Sequence, residues 1–214
     1  MTFKTITRRG RDWLWPEYDT ELIKVFDQAD DIGTILEYCP KRRVAIQAGG
    51  ACGVWPWRLS EHFGIVYTFE PDPTNYRCLL GNAVFDNPNI VNAIPAALSE
   101  NIKRASLGRH LTEASNAGAG YILDDPTGQV YTVALDYFLP EGASVDLIQL
   151  DVEGMEASAL MGAALLIEDN KPTIVIEEKP LPQGGDHLAA RRLLESCGYK
   201  ERARIHRDVI FTHG

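Results

Sequence analysis

Apolar positions in this chain fall into short, nearly continuous runs separated by stretches with helical spacing. Val44-Ala45-Ile46-Gln47 is one such run, and Ile65-Val66-Tyr67-Thr68-Phe69-Glu70, Ile90-Val91-Asn92-Ala93-Ile94 and Val145-Asp146-Leu147-Ile148-Gln149-Leu150 are others. Val130-Tyr131-Thr132-Val133 and Thr173-Ile174-Val175-Ile176-Glu177 complete the set. Runs of this length, bounded by Gly, Pro and Asn, read as strands. Between them the 3.6-residue period predicts helices over 55–63, 73–84, 135–139, 155–167 and 187–197. Pro56 is tolerated only in a first helical turn, and Gly198 reads as a C-cap. Two closing strands near 199–204 and 208–212 have no helix between them and predict an antiparallel pair.

Strands that alternate with helices and are apolar throughout predict an α/β fold with a mostly parallel sheet covered on both faces. The first forty residues read as a helical cover: Asp19 or Thr20 caps a helix over 21–29, whose stripe is Leu22, Ile23, Val25 and Phe26. Trp13 and Trp15 read as core or edge packing in preference to a lid. The stretch 99–130 is polar, rich in turn residues and weakly periodic, and is where specificity is expected to reside, since loops tolerate change and carry function.

With 214 residues the chain is expected to form a single domain over 1–214. The formal charge of -9 argues against a broad nucleic-acid surface, which needs basic excess. No apolar run reaches the length of a membrane span, and the charged N-terminus lacks the apolar core of a signal peptide. The four cysteines form no CxxC pair and read as reduced thiols of a cytoplasmic protein. The five histidines show no metal-binding spacing; His110, His187 and His206 are weak candidates for a base.

Candidate chemistry begins at Ala48-Gly49-Gly50-Ala51-Cys52-Gly53, a glycine loop between a strand and a helix. Such a loop lets backbone N–H groups approach a ligand closely. Its spacing is neither the dinucleotide fingerprint nor a P-loop, which disfavours a nicotinamide-dependent oxidoreductase. Glu70 ends the next strand about twenty residues on, where an acid in a Rossmann-like sheet accepts ribose hydroxyls.

These segments resemble FkbM-type methyltransferases. The resemblance rests on residues 44–53 and Phe69-Glu70-Pro71-Asp72-Pro73, then on Ala96-Ala97-Leu98-Ser99 and residues 133–139. Its most specific stretch is Asp146-Leu147-Ile148-Gln149-Leu150-Asp151-Val152-Glu153-Gly154-Met155-Glu156. It continues through residues 160–163, Lys171-Pro172 and Glu177. The resemblance implies a class I methyltransferase fold, Rossmann-like, with seven strands in order 3-2-1-4-5-7-6 and the seventh antiparallel. It implies S-adenosylmethionine as cofactor and a hydroxyl of a small molecule or glycan as acceptor, with no nucleic-acid or membrane partner. Ala48, Gly49, Gly50 and Gly53 would border the methionine part, Glu70 the ribose, and Pro71, Asp72, Ala96 and Ala97 the adenine. Asp151 would face the sulfonium or the acceptor, with Asp151, Glu153 and Glu177 as candidate bases.

Three departures stand out: the family usually has Asp at Gln47, Asn at Ala51 and Lys at Gln149. Loss of the anion at Gln47 leaves a second reading open, a methyltransferase-fold binding protein without transferase activity. The three acids also carry the oxygen ligands a divalent cation takes, but no metal is expected. A competing role for Glu153 is to cap the helix expected to begin near Gly154.

Overall fold

The computed structural model describes residues 2–109, 115–140, 142–180 and 186–214. His110 therefore lies outside the described residues. A seven-stranded sheet runs through the centre, in order β12-β13-β11-β10-β3-β4-β5. These strands are β3 (Val44–Ala48), β4 (Ile65–Phe69), β5 (Val91–Ile94), β10 (Val145–Leu150), β11 (Thr173–Glu177), β12 (Tyr199–Ile205) and β13 (Asp208–His213). In whole-chain numbering the order differs from the expected one, because β1 (Phe3–Arg8) and β2 (Arg11–Pro16) precede the sheet and four strands interrupt it. Counted within the sheet alone, its strands run 3-2-1-4-5-7-6, and β13 is antiparallel to both β11 and β12.

The apolar strands are buried on both faces. Ala45, Val66, Leu147, Val175 and Ile210 point into one core with Trp13, Trp15, Phe26, Trp55 and Leu59. Ile46, Phe69, Ile148, Leu150, Ile174, Ile176 and Phe211 point into the other with Leu98, Leu160 and Leu194. This alternation explains the continuous runs: the central strands β3, β10 and β11 feed two cores, and exposed positions such as Ile65, Asn92 and Lys200 fall at strand ends or toward the sheet edges.

Helices cover the faces: α3 (Val54–Ser60), α4 (Pro73–Leu79), α6 (Glu156–Met161), α7 (Ala164–Asn170) and α8 (Ala189–Ser196), with the short α5 (Leu135–Phe138) beside them. Asp72 caps α4 through Thr74 N and Asn75 N, with Pro73 in its first turn. The helix expected over 155–167 is two helices, broken where Ala163 leaves helical geometry at φ -121; Gly162 beside it packs against the carbonyl of Ser99, where a side chain would overlap.

Two regions differ from expectation. The N-terminal cover opens as a β-hairpin, β1 against β2, with only α1 (Val25–Asp30), α2 (Ile32–Glu37) and a 3-10 turn at Leu22–Lys24 helical. Trp13 and Trp15 are fully buried on β2, which makes them core and not a lid. The polar stretch 99–130 forms part of a second sheet: β6 (Ala97–Leu98), β7 (Lys103–Arg109), β8 (Gly120–Asp124) and β9 (Val130–Val133), in order β6-β9-β7-β8. Ala105 is the one fully buried residue of β7 and β8, the rest being half-buried or exposed without regular alternation, so these strands carry little hydrophobic pattern to read. No helix among the described residues is long and apolar enough to cross a membrane.

Candidate active site

The carboxyl ends of β3, β4 and β10 converge on a cavity of 670 Å³. In open parallel sheets this edge is where ligands bind, since the strand ends and their loops diverge there. The glycine loop forms one wall. Gly49 N and Gly50 N both donate to Phe69 O at 3.0 Å, and Asp151 N donates to Ala48 O at 3.1 Å, tying the loop to both neighbouring strands. Gly49 has φ +81, and a Cβ on it would overlap the carbonyl oxygen of Asp151; one on Gly50 would overlap Leu79 and the Thr68 hydroxyl. The loop thus lies as low on the sheet as backbone allows. Its contribution is close approach and not free donors: the N–H groups of Gly49, Gly50, Ala51 and Gly53 are all bonded within the protein.

Ala51 occupies the left-handed region at φ 44, which Gly or Asn adopts at less cost. Its N–H donates to Glu70 Oε2 at 2.7 Å, and Asp72 N donates to Oε1 at 2.8 Å. Glu70 is therefore a strut between the glycine loop and the turn before α4. Burial pushes its pKa up to about 7, opposed by these two backbone bonds. Gln47, which raised doubt about a cationic ligand, does not line the cavity. Its amide donates to the carbonyls of Ala48 and Gly49 at 3.1 and 3.0 Å, and its oxygen accepts from Thr68 Oγ1 at 2.5 Å. It buttresses the loop from beneath.

Of the expected binding residues, Ala48, Gly49, Gly50, Glu70, Pro71, Asp72, Ala97 and Asp151 line the cavity. Gly53 and Ala96 are not among its lining residues. Gly53 is the left-handed residue before α3, packed against the backbone of Leu79 and against Ala83. Ala96 sits in the turn after β5, with its N–H on Ile94 O. Asp72 is engaged on both oxygens, as the α4 cap and as partner of Arg109, whose guanidinium lies over Tyr18.

The acids line the cavity beside the loop, on the side of β10 and β11. Asp151, Glu153 and Glu177 each offer an oxygen within 4.8 Å of the others. Lys179 joins them: its ammonium is 2.8 Å from Glu153 and 2.7 Å from Glu177. Burial raises the Asp151 carboxyl well above the usual range, and the charge of Glu177 adds to it. Asp208, paired in register with Glu177, is pushed up to about 7 by burial and then by Glu177. Glu153 does not cap a helix. It has φ 52 in a turn, whereas α6 starts at Glu156, and it is the Glu156 carboxylate that accepts from Val152 N and Gly154 N.

The remaining wall comes partly from the stretch 99–130, expected to carry specificity, and partly from residues the sequence did not single out. Residues 115–118 line the cavity and are pinned from both sides: Ala117 N donates to Asp19 Oδ1 at 2.8 Å, and Asn75 Nδ2 donates to Ala117 O at 2.9 Å. Asn82 holds the N-terminal hairpin to the glycine loop, bonding Leu14 and the carbonyl of Cys52. His206 lines the cavity with its ring 3.1 Å from Asp31, while His187 is exposed. Lys179 had one signal in the sequence: two residues beyond Glu177 on extended chain, it returns to the same side.

Comparison with known proteins places this geometry. Residues 56–201 match the family described as Methyltransferase FkbM domain. A methyltransferase FkbM from Methylobacillus flagellatus has a similar structure, with TM-score 0.57 and 18% identity over 80% of this chain and 44% of that one. This chain thus spans less than half the length of that structure. The magnesium protoporphyrin IX methyltransferase of Synechocystis with bound SAH aligns with TM-score 0.53 and 11% identity, over 90% of this chain and 84% of that one. A Thermus thermophilus 16S rRNA methyltransferase in complex with AdoMet and guanosine aligns with TM-score 0.52 and 14% identity, over 99% and 50%. No curated protein matches the sequence.

Proposed function

This chain belongs to the family of FkbM methyltransferase domains, and from that premise we propose that it transfers the methyl group of S-adenosylmethionine to a hydroxyl oxygen of a small molecule or glycan. The observation that carries the reading is the coupling of the low glycine loop to Glu70, with Asp151 lining the same cavity. A cavity of 670 Å³ is within the range of cofactor sites and leaves space beside a nucleoside-sized ligand.

When bound, the cofactor supplies an electrophilic methyl group on a cationic sulfur. The protein's part is binding, orientation and proton removal. Gly49 and Gly50 admit the ligand to the backbone, and Pro71, Ala97 and Leu98 offer apolar surface to a flat base. Glu70 spends one lone pair of each oxygen on the backbone and keeps others for ribose hydroxyls. Asp151 is the proposed proton acceptor. A carboxyl raised by burial is a better base near neutral pH than an ordinary one, and a cation in the cavity favours its charged form. Glu153 and Glu177, both bonded to Lys179, are proposed to shape the field around it. Alignment of acceptor and methyl group by the cavity walls would supply much of the acceleration.

A small-molecule or glycan acceptor fits the formal charge of -9 better than a nucleic acid does. Titration calorimetry with S-adenosylmethionine and S-adenosylhomocysteine tests the reading. One site per chain is expected, and absence of binding at millimolar ligand would sink it. Binding of both ligands without turnover on any hydroxyl acceptor would instead favour the binding-only alternative.

A further inference from the structure

The Asp151, Glu153 and Glu177 oxygens have the number and proximity of a divalent-cation site. The structure puts a cation of the protein's own among them. Lys179 extends from the segment after β11, and its ammonium bonds Glu153 and Glu177 at 2.8 and 2.7 Å, with Asp151 close enough to act on its charge. Its side chain is 17% exposed, against 10% for Glu153 and 8% for Glu177, so the contact is largely withdrawn from water. Burial alone would lower the lysine pKa, but the charges of Asp151, Glu177 and Glu153 outweigh this and raise it. The ammonium therefore stays charged. Asp208 faces the same group from β13, and His206 and Arg207 lie on the cavity wall beyond it.

We propose that Lys179 is a positioning residue that serves as the resident counter-ion of this cluster, closing it to divalent cations and holding Glu153 and Glu177 aside so that Asp151 faces the cavity. A divalent ion would need the oxygens that the ammonium already occupies, and entry would leave two cations, three positive charges in all, in one pocket. The site is thus built to work with a fixed monovalent charge. The inference concerns ion binding and does not depend on methyl transfer.

Manganese binding, followed by electron paramagnetic resonance and calorimetry on the full chain, tests it. The wild type is expected to take up no stoichiometric Mn²⁺ at millimolar concentration. Lys179→Met is expected to bind one Mn²⁺ per chain about tenfold or more tightly than the wild type. Adding Asp151→Asn to that variant should abolish the gain, and Lys179→Arg, which restores a cation, should behave as wild type. Stoichiometric Mn²⁺ binding by the wild type overturns the proposal directly, and that measurement needs no variant to fold. Failure of folded Lys179→Met, or of Lys179→Gln in its place, to bind better than wild type overturns it equally. S-adenosylhomocysteine titrations on the same samples report the cofactor reading separately.

Discussion

If Glu70 holds ribose hydroxyls, cofactor affinity must depend on its charge, and the structure says in which pH range. Its carboxylate accepts Ala51 N and Asp72 N, yet burial keeps its pKa at about 7 against 4.5 for an ordinary glutamate. Without ligand, about a tenth of the chains carry the ionised form at pH 6, and most do at pH 8. Ribose hydroxyls need acceptors, so they favour the ionised form and pull the pKa down on binding. S-adenosylhomocysteine should therefore bind about tenfold more weakly at pH 6 than at pH 8. Its uncharged sulfur keeps Asp151, Glu153 and Glu177 from dominating that slope. Glu70→Gln preserves shape but has one carbonyl for two backbone donors, leaving one buried N–H unpaired at a cost of about 1–3 kcal/mol. It should bind more weakly at every pH and lose the slope. Stability supplies a second readout. A raised acid keeps its proton in the folded chain where the unfolded chain has released it. Its penalty accordingly grows from about pH 4.5 to about pH 7, reaching roughly 3 kcal/mol above that window. Stability from this group thus falls as pH rises, and the fall should be missing in Glu70→Gln. Calorimetry and denaturant unfolding at several pH values check both. An unchanged wild-type affinity between pH 6 and 8, or the same slope in Glu70→Gln, would refute the reasoning.

Three further outcomes follow from the site. Gly49→Ala combines a left-handed φ with overlap on the Asp151 carbonyl and should cost about 2–4 kcal/mol in chemical unfolding, with loss of cofactor binding. Ala51→Gly should do the reverse and raise stability by about 0.5–1 kcal/mol, because relief at φ 44 exceeds the added entropy of the unfolded chain. Asp151→Asn should lower the affinity for cationic S-adenosylmethionine several-fold more than that for S-adenosylhomocysteine, measured by parallel titrations; equal losses would remove Asp151 from contact with the charge.

How much was legible depended on how locally each feature is encoded. The central strands were readable because Ile46, Leu147, Ile148 and Val175 are buried whichever face they meet. The glycine loop and Glu70 were readable because both lie at strand ends, about twenty residues apart. Strands β7 and β8 were not, since their pairing rests on backbone hydrogen bonds and their half-buried side chains show no regular alternation. The orientation of Gln47 was not legible for a related reason. Alternation along a strand tells that a residue is buried, but not whether its amide faces a ligand or, as here, the carbonyls of Ala48 and Gly49.

By itself the sequence determined the strands of the central sheet, most of the helices between them and a short set of candidate acids, because periodicity, capping and turn chemistry act between near neighbours in the chain. Tertiary structure alone decided which of those acids meet. Parallel pairing sends the carboxyl ends of β3, β4 and β10 to one edge, so Glu70 and Asp151 face a common cavity. The antiparallel return of β13 sets Asp208 opposite Glu177. Lys179 meets Glu153 only because β11 pairs beside β10, bringing the segments that follow the two strands together. Charges at such distances in a buried site govern one another's protonation, and no pattern along the chain measures those distances.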